Sequence, residues 1–149
     1  MEMVVLIGGQ GAGKTTFYQS RFFKTHIRIN LDMLKTRHRE KLLVQACLQM
    51  KQPMVIDNTN PTKADRARYI EQALANQFKV VGYYLDAKLE ELLARNAQRR
   101  GKERIPEIAI LGTFKKMEKP NRAEGFAELY RVCTQGDGTF RIEKDSDEV

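Results

Sequence analysis

The chain of 149 residues has only two cysteines, Cys47 and Cys133, far apart and in no CxxC pair. That excludes a disulfide framework and leaves two reduced thiols as the expected state. Its two histidines, His26 and His38, have no cysteine or histidine cluster around them, so no structural metal is expected. No apolar run reaches the length of a membrane span. The opening MEMVVLIGG lacks a basic leader and a cleavage pattern, so a cytoplasmic protein with no membrane association is expected. There are no internal repeats and no low-complexity linker. At this length one domain buries about 70% of the surface its unfolded chain exposes, enough to stand without staples.

Positive charge is in surplus. The formal net charge is +7. Residues 143–149 (EKDSDEV) carry four acids against one lysine, so residues 1–142 hold a net +10. A surplus of this size attracts polyanions through its long-range field, although a merely soluble basic protein would read the same. The division predicts one domain over 1–142 and a disordered acidic tail over 143–149.

Short apolar runs alternate with helix-patterned stretches, the pattern of an α/β domain whose sheet is mostly parallel. Five strands are expected, at 3–7, 27–29, 53–57, 79–85 and 128–133. Helices are expected at 14–23, 34–50, 63–77, 88–100 and 106–118. Thr62 is placed as an N-cap and Pro106 in a first helical turn.

Between the first strand and first helix stands Gly8-Gly9-Gln10-Gly11-Ala12-Gly13-Lys14-Thr15, a match to G-x4-G-K-[ST]. Glycines let such a loop turn its N–H groups inward on phosphate oxygens, and the following helix adds its positive end. ATP binding is therefore expected at residues 8–15 and at Thr16. Lys14 would reach the β/γ-phosphates and Thr15 would ligate Mg2+. The fold expected is a P-loop NTPase/kinase fold.

Three further clusters bear on the chemistry. Asp32 follows the strand at 27–29, facing the crevice that open α/β sheets form at their strand ends. It fits a base that takes the proton of an attacking hydroxyl, and equally an N-cap or dipole partner for the next helix. Asp57 ends the strand at 53–57, where a P-loop protein keeps its magnesium-side carboxylate, and Asn58, Thr59 and Asn60 follow at the crevice. Residues 95–104 hold five basic residues with one glycine. This run reads as an arginine-rich lid in which Arg95 and Arg99 share a helix face, or as a solvated helix end.

At these residues the chain resembles the kinase domain of the animal polynucleotide kinase–phosphatase. The likeness is carried by Ile56-Asp57-Asn58-Thr59-Asn60-Pro61 with Arg66-Ala67-Arg68-Tyr69, by the phosphate loop, and by Asn30 and Asp32. Arg95-Asn96 with Arg99, and Glu124-Gly125-Phe126, complete it. It runs from Met3 to about Val132, and the phage 5′-kinase has the same motif order.

The resemblance implies transfer of the ATP γ-phosphate to a 5′-hydroxyl of DNA or RNA. It assigns Asp32 as general base, Lys14 and Thr15 as phosphate and magnesium contacts, and Arg99 as a lid arginine acting in catalysis. Arg95 matches a second lid position, and Asp57, Thr59 and Asn60 match the crevice near the acceptor. Lys35 stands where the phage enzyme has an acceptor-binding arginine, and Leu31 where relatives carry arginine. Lysine supplies charge there without a bidentate fork. No DxDxT-like aspartate pair is present, so phosphatase activity is not expected. Arg28, Lys35, Arg37, Arg39, Lys63 and Arg66 form the expected path for acceptor phosphates. The adenine is expected between the lid and residues 134–138. Two other functions fit the same motifs: a kinase of a small hydroxyl acceptor, and an ATP-switched nucleic-acid-binding module.

Overall fold

The computed structural model describes residues 1–135 and 137–145. A single sheet has the order β2-β3-β1-β4-β5-β6. Its strands are β1 (Glu2–Ile7), β2 (Ile27–Ile29), β3 (Met54–Asp57), β4 (Lys79–Leu85), β5 (Glu128–Thr134) and β6 (Phe140–Lys144). The first five are parallel to their neighbours, and β6 returns antiparallel along β5.

Helices cover both faces. Met3, Val5 and Ile7 of β1 pack with Val44, Cys47 and Leu48 of α3 (Arg37–Met50) and with Tyr69, Ile70 and Ala73 of α4 (Lys63–Ala75). Val4 and Leu6 point the other way. They meet Phe17 of α1 (Lys14–Arg21), Leu92 of α5 (Leu89–Gln98) and Ile110 of α6 (Glu107–Lys116). A strand covered on both faces has no polar side to present, which is why β1 reads as an unbroken MVVLI run. Both cysteines are free, Cys47 being buried. No helix among the described residues is long and apolar enough to cross a membrane.

Three expectations change. The sheet has six strands, not five. Phe140 and Ile142 alternate with Arg141 and Glu143, the period of a strand with one covered face, and both apolar residues pack on the α1 side. The acidic tail therefore does not begin at residue 143: Glu143 pairs with Arg131 and Lys144 with Tyr130 across the ladder. Residues 146–149 of that tail lie outside the described residues.

The helix expected over 34–50 starts only at Arg37, as α3, and a separate four-residue helix, α2 (Leu31–Leu34), precedes it. Lys35 breaks the path with φ 77°, and the Thr36 side chain caps α3 by accepting from Arg39 N at 3.1 Å.

Parallel strands end at the same rim. The P-loop, α2 and the loop after β3 therefore open together there, with β1 central between β3 and β4. This is where the strand order reverses and a crevice forms.

Candidate active site

The phosphate loop leaves β1 and turns through Gly11 (φ 89°) and Gly13 (φ 97°), a left-handed backbone that side chains other than glycine's resist. No side chain caps α1, so the N–H groups of its first turn stay available to an anion. Gly8 N donates to Thr59 O at 3.1 Å, which fixes the loop's start to the loop after β3. Gln10 Nε2 donates to Thr113 Oγ1 at 3.0 Å and ties its middle to α6.

Lys14 Nζ donates to the carbonyls of Gly8 at 2.9 Å and Gly9 at 3.0 Å. Burial lowers its pKa to about 8. Asp57 opposes that shift, Arg99 adds to it and Asp32 opposes it. These three groups come from the end of β3, the C-cap of α5 and the first turn of α2, and with Lys14 they line one cleft.

Asp57 is 1% exposed and accepts from Thr15 Oγ1 at 3.3 Å. A hydroxyl and a carboxylate are hard oxygen donors, and they fit a divalent cation that keeps most of its shell as water and phosphate.

Asp32 is exposed in the first turn of α2, whose N-cap is Asn30 rather than Asp32. Asn30 Oδ1 accepts from Met33 N at 2.9 Å, and Leu31 N donates to Asn58 Oδ1, also at 2.9 Å. Asn58 in turn donates to Glu40 Oε2 at 3.0 Å. Glu40, 4% exposed, takes further bonds from Arg37 at 2.9 Å and from the Tyr69 hydroxyl at 3.0 Å. Burial, and then the Glu40 charge, hold the Tyr69 phenol above its usual pKa and keep it a donor. Residues from α2, α3, α4 and the loop after β3 are thereby fixed in one network around Asp32.

One cleft of about 840 Å³ gathers Gln10, Gly11, Lys14, Thr15, Thr16, Asp32, Asp57, Thr59, Asn60 and Arg99 from the expected set. Other expected residues stand outside the cleft or turn their side chains to other work. Lys35 is an exposed C-cap of α2 outside the cleft lining, because its positive φ ends that helix. Asn60 borders the cleft, but its amide donates to Leu6 O at 2.7 Å, buried, so that side chain braces β1. Arg95 turns to the phosphate loop, donating to Gly11 O at 2.7 Å and to Thr134 Oγ1. Arg66 does not face an acceptor: it is 0% exposed, paired with Glu124 at 2.8 Å and bonded to Asn60 O and Pro61 O.

Among the cleft's basic residues, sequence reasoning missed Lys116, met Lys102 only as one of the five basic residues of the 95–104 run, and named Arg68 only within the motif that carries the resemblance. It also missed the Asn96 side chain, which donates to Ile105 O at 2.7 Å and accepts from Ile105 N at 3.0 Å. That pair of bonds closes the 96–105 segment bearing Arg99.

A family model described as an AAA domain matches residues 30–120. A bifunctional polynucleotide phosphatase/kinase of Schizosaccharomyces pombe is 30% identical over 137 residues, 88% of this chain and 33% of that protein. The chain thus spans about a third of that relative's length. Among solved structures, a gluconokinase from Sinorhizobium meliloti 1021 superposes with a TM-score of 0.62 at 16% identity, covering 89% of this chain and 82% of that one. The AvrRxo1-ORF1:-ORF2 complex with ATP reaches a TM-score of 0.71 at 15% identity over 98% of this chain and 60% of that one. At such identities the likeness shows the fold alone. With more than half of its length matched by the family model, the chain belongs to the AAA-domain family and carries a P-loop kinase fold.

Proposed function

We propose that this protein is an ATP-dependent kinase of 5′-hydroxyl ends of DNA or RNA. The observation that carries the reading is that Lys14, Asp32, Asp57 and Arg99 line one cleft. A phosphate-binding amine, a carboxylate for the acceptor's proton and a lid guanidinium then share one cleft.

In this reading the ATP phosphates rest on residues 8–15 and on the first turn of α1, including Thr16. Lys14 leaves the Gly8 and Gly9 carbonyls for the β/γ-phosphates. Thr15 and Asp57 would hold Mg2+, which when bound would supply charge to offset that on the phosphoryl oxygens. Asp32 orients the 5′-hydroxyl and takes its proton as the oxygen bonds to the γ-phosphorus and ADP departs. Arg99 adds positive charge beside the transferring group. Arg95 shapes the loop through Gly11, near the adenine expected beside residues 134–138, of which Gly136 lies outside the described residues. Arg37, Arg68, Lys102 and Lys116 on the cleft walls would meet acceptor phosphates, which supports a polyanionic acceptor.

The test is incubation with γ-labelled ATP and 5′-hydroxyl DNA, 5′-hydroxyl RNA, a nucleoside, a sugar, or no acceptor. Label on oligonucleotide 5′ ends is the expected result. Label on the nucleoside or sugar alone would assign a small-acceptor kinase. ATP binding without transfer to any acceptor would assign a switch.

A further inference from the structure

Arg28 has no part in the proposed transfer, yet it holds the oxygens next to it. It is the middle residue of β2, the strand at the sheet's edge beside β3. Its Nε donates to Asp57 Oδ2 at 2.8 Å and its Nη2 donates to Thr15 Oγ1 at 3.2 Å. The guanidinium is three-quarters covered, and the Asp57 side chain is 1% exposed.

We infer that Arg28 is a built-in counter-ion of the metal position, and that a divalent cation must displace it from Asp57 and Thr15 to be held there. The inference rests on reading Thr15 and Asp57 as the metal donors, and not on which acceptor is phosphorylated.

A carboxylate this deeply covered needs a cation, and arginine suits the place. Its fork reaches two acceptors at once, and it stays charged at any working pH. Such a partner keeps the rim of β3 neutralised until a metal ion takes its place. It also makes the site a poor binder of metal alone, because a metal ion entering there must win two oxygens already bonded. Metal that arrives with nucleotide phosphates brings further ligands and tips the exchange. Once released, the guanidinium has room to move outward, because β2 is an edge strand and Nη1, which donates to Met33 Sδ at 3.9 Å, lies on the exposed side.

The test is direct binding of Mn2+, followed by electron paramagnetic resonance, to the full chain in the absence of nucleotide. Arg28→Gln is expected to bind Mn2+ about tenfold more tightly than wild type, the scale of one competing charge-assisted pair. Its melting temperature should fall below wild type without metal and recover as Mn2+ is added. Adding Asp57→Asn to Arg28→Gln should abolish the gain. Arg28→Lys keeps the charge without the fork and serves as a second variant if Arg28→Gln does not fold; it too should bind Mn2+ more tightly than wild type. Affinity in the folded variant equal to or weaker than wild type would overturn the inference, as would a gain that survives Asp57→Asn.

Discussion

Asn30 Nδ2 donates to the Asp57 carbonyl oxygen over 2.6 Å, so the end of β3 and the turn that carries Asp32 share one side-chain amide. The other half of that amide caps α2 through Met33 N. A single residue thus sets the distance between the two carboxylates of the cleft.

Replacing Asn30 with alanine should therefore misplace Asp32 without touching the phosphate loop. A displacement of about 1 Å at a reacting group costs on the order of 10²-fold in rate. We expect Asn30→Ala to lose kcat on that scale while the KM for ATP changes little, as read from steady-state kinetics on folded protein. A matching loss of ATP affinity would mean that the amide supports the nucleotide side instead.

Arg66 and Arg68 differ by two positions and should differ in kind. Arg66 is fully buried against Glu124, whereas Arg68 is exposed at the cleft wall. Breaking a buried pair strands the remaining charge, so Arg66→Ala should cost about 3–5 kcal/mol in urea unfolding. Arg68→Ala should change stability by less than about 0.5 kcal/mol and weaken acceptor binding, with a shallower salt dependence of activity.

The sequence was most legible where one physical constraint dominates. β1 is covered on both faces, and the G-x4-G-K-[ST] spacing admits few alternatives, so the strand, loop and helix fell where expected. The carboxylates at Asp32 and Asp57 were legible because parallel strands must end at a common rim. Less legible were features decided by partners distant in the chain. Arg66 looks like any surface basic residue until Glu124, 58 positions away, is folded against it. Lys35 reads as a helical lysine, yet Thr36 capping the next helix forces the break before it. Phe140 and Ile142 carried a period-two signal that the neighbouring acidic run obscured.

Lys14 gives a pH prediction with a definite sign. Burial places its folded pKa near 8, below the 10.5 of an ordinary lysine, with Asp57 and Asp32 only partly offsetting burial. Between those two values the unfolded chain binds more protons than the folded one, so stability rises with pH across that window. Below about 8 the cost of burying the charge is present in full. Phosphate binding favours the charged amine, so ATP binding above pH 8 should take up a proton and weaken as pH rises. Calorimetry in buffers of differing ionisation enthalpy measures that uptake, and Lys14→Met should remove both it and the rise in stability.

In the proposed reaction Asp32 takes the proton of a nucleic-acid 5′-hydroxyl while Lys14 and Arg99 hold the phosphate in flight. Its most direct test is single-turnover transfer from γ-labelled ATP to a 5′-hydroxyl oligonucleotide, comparing wild type with Asp32→Asn. Wild type should give a 5′-phosphorylated product. The variant should react about 10²–10⁴-fold more slowly, with ATP binding retained. Undiminished transfer by folded Asp32→Asn, or no transfer to 5′ ends by wild type while it phosphorylates a sugar or nucleoside, would contradict it.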